Sequence, residues 1–473
     1  MLSALVLFPL MGLVVVLFSN NNYSKIIGLI FSILTLWYSV LLWGLLDYSN
    51  SQWMEDFMYI PSISLVIDGI SIYFILLTTF IFPIALLSNW SNLDVNRYPS
   101  KYYVILMLLI EFLLLLVFTV SDLILFYIFF ESILPPLFIL IGLYGSLQRI
   151  RASFHLFLYT FVGSIFMLIS FITIYFVTGT TNWIILRDIS IDITLQKVLW
   201  IGIFFALAIK TPLVPLHLWL PLAHAESPLG GSVVLAGIVL KLSLYGVLRI
   251  LLPLLPEASL YFTPLVYTIC VVTIVYSSLT TLRQIDLKVI IAYSSIGHMA
   301  ICIMGAFSNN LNGIAGSILL AVAHGLVSPA LFICVGGILY DRTHTRIINY
   351  YRGLATYMPV FSLLFFVFSL CNIAVPLSAN FIGEFLVISG SFQRLPVLTL
   401  LASSSVVLSA AYGVWLYIRI IGGSYSPYIK VLNDVSFREF CLLIPLLVIT
   451  LLLGVQPNIV LQGLYTNLTS ILY

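Results

Sequence analysis

The sequence predicts an all-α polytopic membrane protein with about fourteen transmembrane helices, built as two inverted five-helix repeats whose helices 7 and 12 are broken. Three observations carry this prediction. Hydrophobic residues make up 62% of the chain and charged residues 8%, which rules out a soluble globular domain. Apolar runs of spanning length recur along the 473 residues with short polar interruptions. Two of these runs hold prolines in mid-course, each beside a single charge. A β-barrel is excluded, because its strands would alternate polar and apolar residues over short segments.

The runs lie near 2–18, 26–46, 66–87, 102–120, 122–142, 154–178, 198–215, 230–252, 262–281, 289–307, 313–340, 359–392, 398–420 and 440–461. Each meets the requirement of about 20 apolar residues for a crossing. The first begins MLSALVLF, without the basic segment of a signal peptide or the Arg/Ser-rich amphipathicity of a transit peptide, so it is expected to be a retained span. The eleventh and twelfth exceed one straight crossing and are expected to be tilted or broken. Thirteen of the 19 basic residues fall on one side if the connections alternate: Lys25, Arg97, Lys101, Arg149, Arg151, Arg283, Lys288, Arg342, Arg346, Arg352, Arg419, Lys430 and Arg438. The other side receives Arg187, Lys197, Arg249 and Arg394, and this bias supports an even helix count with both termini away from the positive side.

No linker or low-complexity tract interrupts the chain, so 1–473 is a single membrane domain. Residues 1–100 hold helices 1–3, 101–255 the first repeat (helices 4–8), 256–422 the second (helices 9–13), and 423–473 the C-terminal helix 14. The net charge of +2 is small and scattered, which argues against nucleic-acid binding. Cys270, Cys302, Cys334, Cys371 and Cys441 each stand alone in apolar sequence, so neither a disulfide framework nor a cysteine-held cluster is expected.

The stretch IKTPLVPLHLWLP (209–221) places Lys210 next to Pro212 and Pro215. Prolines lack the N–H that a helix needs, so the carbonyls of Ala208 and Thr211 are expected to lose their partners. Such groups persist at depth only against protein or a water-filled cavity. Pro376, two turns before Glu384 in CNIAVPLSANFIGEF, repeats the device five helices later by freeing the carbonyl of Asn372. Broken helices at matching positions are the mark of inverted-repeat transporters.

The ionisable residues inside the runs are Glu111, Glu131, Lys210, Lys241, His298, His324 and Glu384. Each charge at mid-span costs on the order of 2.5–3.5 kcal/mol, so a set of both signs along several helices points to a proton path rather than to static pairing. Driving a proton against roughly 150–200 mV takes about 3.5–4.6 kcal/mol. A carboxylate that approaches Lys210 and then withdraws supplies a swing of that size, and Glu131 is the expected partner. His298 and His324 could ligate a haem, but no second pair accompanies them, which leaves a relay or a buried hydrogen-bonded role for each. His217, His224 and Glu226 suggest zinc at first glance; Pro221 and Pro228 break any single helical face there, and a polar interfacial loop is expected instead.

Five stretches then occur in order: FYIFFESILPP (126–136), the long KTPLVPLHLWLPLAHAESPLGGSVVLAGIVLKLSLYG (210–246), DLKVIIAYSSIGHM (286–299), HGLVSPALF (324–332) and NFIGEF (380–385). Together they resemble the antiporter-like membrane subunits of respiratory complex I (NADH:ubiquinone oxidoreductase), and the subunit 4 type above the others. The resemblance implies fourteen helices, a proton-translocating role coupled to quinone reduction elsewhere, and other membrane-arm subunits and membrane lipid as partners. By motif it implies that Glu131 pairs with Lys210, that Lys241 is the central lysine, and that His298 and His324 join two half-channels. Glu384 would be the terminal group on helix 12, a lysine in subunits 2 and 5. It further implies no flavin, iron–sulfur cluster, metal or quinone site in this chain. The expected location is the mitochondrial inner membrane, with both termini on the intermembrane-space side. Ser227 departs from a common alanine, Glu111 lies outside every aligned motif, and the first three helices match by position only. A sodium/proton antiporter subunit without a redox partner, a plastid homologue of the same subunit, and a substrate transporter are the alternatives; the last would need more recognition groups near the breaks.

Overall fold

A computed structural model describes residues 2–46, 54–59, 62–92, 98–424, 426–428 and 432–472. Among them, twelve helices are long and apolar enough to cross a membrane, and the shorter apolar helices Leu2–Phe18 and Pro359–Asn372 complete the fourteen. We number them α1 (Leu2–Phe18), α2 (Asn21–Leu45), α3 (Ser71–Ser88), α4 (Ser100–Thr119), α5 (Leu123–Tyr144), α6 (Arg149–Thr178), α7a (Ile193–Lys210) and α8 (Leu229–Leu254). The second half continues with α9 (Pro256–Thr281), α10 (Leu287–Ala306), α11 (Leu311–Thr343), α12a (Pro359–Asn372), α13 (Pro396–Ile421) and α14 (Phe437–Val455). Arg97 and Lys430 of the charge count lie outside the described residues.

Local chemistry sets where the helices start. Asp122, Asp192, Asp286 and Asn310 accept backbone N–H groups at the openings of α5, α7a, α10 and α11. Pro256, Pro359 and Pro396 occupy first positions, where a missing N–H costs nothing. Ser436 and Glu439 form a reciprocal capping box on α14.

Several boundaries differ from the sequence expectation. The third apolar run predicts a helix from near 66, yet Met54–Tyr59 and Ser62–Ile67 pair as an antiparallel hairpin, β1 and β2. Asp68 ends the second strand: its Oδ1 accepts the Ser71 N–H at 2.9 Å, and α3 begins there. The C-terminal run is two helices, because Pro457 interrupts it and α15 (Asn458–Leu472) follows α14. The stretch expected to be a polar interfacial loop is helical and enclosed. Its residues Trp219–Glu226 form α7b, the second half of helix 7, in which His224 is 0% exposed, and His217, in the turn before it, is 3% exposed. Pro221 fits because it lies in the first turn of α7b, where its N–H is not required.

Helix 12 is divided in the same way, into α12a and α12b (Ala379–Arg394), with Ala374 and Leu377 at positive φ in the break. α8 and α11 are buried throughout an 18-residue apolar stretch, whereas in α6, α13 and α14 most residues of the corresponding stretch are not buried. On the side rich in basic residues, Glu226 accepts Ser146 Oγ at 2.6 Å, the Gln148 N–H at 2.8 Å and Arg346 at 3.2 Å. Arg346 also reaches Asp286 at 3.5 Å, so one arginine ties three connections together. Burial pushes the Asp286 carboxyl above the usual carboxylate range, against the pull of Arg346.

Candidate functional site

The two breaks are stabilised by side chains rather than left open. The indole of Trp219 donates to the carbonyl of Ile209 at 2.9 Å, and Asn380 Nδ2 donates to the carbonyl of Cys371 at 2.9 Å. The Ala208 carbonyl, expected to be orphaned by Pro212, accepts the Leu213 N–H at 3.0 Å and Thr211 Oγ1 at 3.3 Å. The chain turns tightly enough to recover that carbonyl one residue further on.

Lys210 ends α7a with 2% exposure. Its Nζ donates to the carbonyl of Phe130 at 3.1 Å and sits 3.7 Å above the Phe130 ring. Glu131 is the next residue of α5, and its carboxylate oxygens have no hydrogen-bond partner among the described residues. The expected pair is therefore adjacent without a direct ion pair, the ammonium being held by the carbonyl and ring of the glutamate's neighbour.

The other four predicted site residues form a row. Lys241 Nζ donates to the Ala236 carbonyl at 2.5 Å and meets His324 Nδ1 at 2.9 Å. The His324 and His298 rings lie 5.4 Å apart, tilted by 46°. His298 Nδ1 meets Glu384 Oε1 at 2.8 Å. Exposure is 0% for Lys241 and His324, 3% for His298 and 4% for Glu384, so the row runs through the protein interior.

The fold brings these groups together by two close approaches. In α8 the π-helical segment Leu235–Val239 widens the helix, and the Ala236 carbonyl inside it faces the Lys241 ammonium. Gly325, beside His324, has no room for a side chain: a Cβ would lie 2.6 Å from Leu77 and 2.9 Å from the Gly237 carbonyl. That contact draws α11 onto α8. Gly383, beside Glu384, plays the same part for α12b, where a Cβ would lie 2.8 Å from the backbone of Leu320.

Two further buried groups, which sequence reasoning did not count among the site residues, lie near the row. His224 stacks on Phe332 of α11 (4.7 Å, 12°) and is within electrostatic reach of Lys288, Lys241 and His324. Lys288, a positive-side residue by sequence, is 5% exposed and donates to the Ser227 carbonyl at 3.1 Å. The signal for His224 is present in Pro221, which fits a first turn as readily as a loop. Glu111, which no motif covers, is fully buried and accepts Thr35 Oγ1 at 2.7 Å, a cross-link between α4 and α2.

Known proteins share this architecture. The family described as NADH:quinone oxidoreductase/Mrp antiporter, transmembrane region, matches residues 120–409. The NADH-ubiquinone oxidoreductase chain 4 of Mycosarcoma maydis is 50% identical over all of this chain and 99% of that one. Its counterpart in Arabidopsis thaliana is 47% identical over 99% of this chain and 96% of that one. A chain of respiratory complex I from Thermus thermophilus superposes with a TM-score of 0.89 at 27% identity, each chain covered in full. A chain of the Mrp complex from Dietzia sp. shares the fold, with a TM-score of 0.87 at 20% identity, over all of this chain and 99% of that one. With full-length relatives at such identity and a family match spanning both broken helices, the chain belongs to the NADH:quinone oxidoreductase/Mrp antiporter family, in the group of NADH-ubiquinone oxidoreductase chain 4.

Proposed function

We propose that this chain is a proton-translocating membrane-arm subunit of NADH:ubiquinone oxidoreductase, and that Glu131, Lys210, Lys241, His324, His298 and Glu384 carry the protons. The observation behind this reading is the row itself: contacts of 2.9 Å and 2.8 Å flank a 5.4 Å imidazole pair, deep inside the protein, between two broken helices.

The chemistry follows from the imidazoles. A proton delivered from Lys241 Nζ to His324 Nδ1 can leave the same ring from Nε2. The Nε2 atoms of His324 and His298 have no hydrogen-bond partner among the described residues, and each is available for the transfer between rings. His298 Nδ1 then exchanges with Glu384 Oε1. At the other end, Lys210 is held by a carbonyl and a ring, so its ammonium is not committed to Glu131. Loading and release there require only a change in their separation. Within this reading, 101–255 and 256–422 are the two repeats, and each contributes one broken helix. NADH oxidation, flavin, iron–sulfur clusters and quinone reduction belong to partner subunits, and no cofactor or metal is assigned to this chain. The location is the mitochondrial inner membrane among lipid and the other membrane-arm subunits, with both termini facing the intermembrane space.

The test is a native gel of gently solubilised membranes stained for NADH dehydrogenase activity, with this chain identified in each band by mass spectrometry. The chain is expected in the large active band, and Lys241→Met there is expected to abolish NADH-driven proton translocation. Presence only in small bands without redox activity would reject the reading in favour of a free sodium/proton antiporter.

A further inference from the structure

On the side rich in basic residues, Arg342 and Arg346 are paired with Glu439 and Glu226 at 2.7 Å and 3.2 Å. Arg352 and Arg419 differ: both are exposed, and among the described residues neither forms an ion pair. The two line one cleft of about 460 Å³, together with Asn349, Trp415 and Ile418. Arg419 Nη2 donates to Asn349 Oδ1 at 3.4 Å, a neutral contact that leaves its charge uncompensated.

The backbone brings these cations to one place. Arg352 lies in the connection between α11 and α12a, and Arg419 in the last turn of α13. The two segments meet where the Gly353 N–H donates to the Gly422 carbonyl at 3.0 Å. Gly423 follows at φ 91°, and a Cβ there would lie 2.8 Å from Arg352 Nε. Glycine at this position lets the arginine side chain pass close over the end of α13.

An apolar strip leads away from the cleft along the same helix. Val407, Val414 and Ile418 recur at spacings of seven and four, which places them on one face of α13, and they are 72%, 45% and 60% exposed. Val407 is about 18 Å along the axis from Arg419, a little over half of the roughly 30 Å hydrocarbon core. Trp415, half-buried in the cleft wall, is a residue type that favours the headgroup level. Two cations thus stand at the head of an apolar strip about one leaflet long.

We propose that this cleft binds an anionic phospholipid of the leaflet on the basic side, with its phosphate at Arg352 and Arg419 and one acyl chain along Ile418, Val414 and Val407. A guanidinium presents parallel N–H donors that match two phosphate oxygens, and two of them give one phosphate a fixed position. The repulsion between the arginines is relieved by an anion, and less so by a zwitterionic headgroup that carries its own cation. Each arginine near the surface favours anionic lipid by about fivefold, so the pair is expected to favour it by about thirtyfold. The site needs only that the chain spans a membrane, and it is independent of the proton row.

The test uses the whole oxidoreductase reconstituted in phosphatidylcholine vesicles that hold a small fraction of photoreactive lipid. The probe is phosphatidylglycerol with a diazirine on one acyl chain, or the matching phosphatidylcholine, and the adducts are located by peptide mass spectrometry. Labelling of α6, whose Ile165 and Ile169 are exposed, is the internal reference. Residues 407–418 are expected to take the phosphatidylglycerol probe about thirtyfold over the phosphatidylcholine one, and Arg352→Gln with Arg419→Gln is expected to erase that preference. Equal labelling by the two probes, or a preference that survives the double variant, overturns the proposal. Labelling lost on adding inorganic phosphate at constant ionic strength would give the site to a free anion instead. A strip labelled by neither probe would mean that a neighbouring subunit covers it, which also overturns the proposal. Should the double variant fail to assemble, the parent complex is measured in rising KCl: screening is expected to remove the preference at 407–418, and a salt-insensitive preference overturns the proposal. Failure of the proton row is distinguishable, because full pumping in Lys241→Met leaves this labelling unchanged.

Discussion

Gly383→Ala tests whether the close approach of α12b to α11 sets the end of the row. The new methyl would lie 2.8 Å from Leu320 Cα, Cβ and N, whereas ordinary contact begins at 3.4 Å. Backbone is on both sides of this contact, so α12b must recede by roughly 0.6 Å, at a cost of about 1–3 kcal/mol of packing strain. Glu384 is the next residue, and its 2.8 Å contact to His298 would stretch to roughly 3.4 Å, beyond a working hydrogen bond. A misplacement of 1 Å costs on the order of a hundredfold in rate, so about tenfold is expected here. The assay is NADH-driven acidification of vesicles holding the reconstituted complex, with assembly checked on a native gel. Gly44→Ala serves as the control, because nothing lies within 4 Å of its added carbon. A fully assembled Gly383→Ala complex pumping within about twofold of the parent would refute the argument that this helix contact positions the proton path.

Glu131→Gln is expected to lower proton translocation by at least about tenfold while leaving the Lys210 contact to Phe130 in place; undiminished pumping would remove Glu131 from the path. Trp219→Phe strips the donor from the Ile209 carbonyl and should destabilise the helix 7 break by about 1–3 kcal/mol, read as a lower midpoint in denaturation of the detergent-solubilised complex. Glu111→Gln retains an acceptor for Thr35 and should pump within about twofold of the parent, whereas Thr35→Val loses about 0.6–1.7 kcal/mol of helix–helix contact and should assemble less well. Strong inhibition of pumping by Glu111→Gln would move that residue from cross-link to proton carrier.

Much of this arrangement is legible in the sequence. Helix number follows from run length, because the hydrocarbon core imposes the same span on every crossing. Lys210 and Glu384 announce themselves, since a charge in an apolar run is costly to insert and a proline in the same run marks a break in the helix. Less legible is anything set by the contact between helices. Nothing in the spacing of Glu131 and Lys210 says that the ammonium settles on the carbonyl of Phe130 rather than on the carboxylate. The π-helical turn at Leu235–Val239 has no signature of its own in a run of aliphatic residues. His224 is hard to place because Pro221 looks like a breaker, although its position in a first turn makes it a permitted opening. The hairpin before α3 is hidden because SISLVI continues almost unbroken into the helix that follows.

The enclosure of α8 and α11 has a consequence for how the protein is made. In the finished fold an 18-residue apolar stretch of each helix is buried throughout, and protein neighbours surround Lys241 and His324 on every side. A helix so placed could in principle carry far more polar residues, yet both are about as apolar as α2 and α6, which face outward. During synthesis each must enter the bilayer before its neighbours have closed around it, and at that moment Lys241 alone costs on the order of 2.5–3.5 kcal/mol. The leucines, isoleucines and valines around it offset that cost during insertion. Their hydrophobicity therefore answers to the translocon and the nascent chain as much as to the packed protein, and it limits how many charges the row can hold.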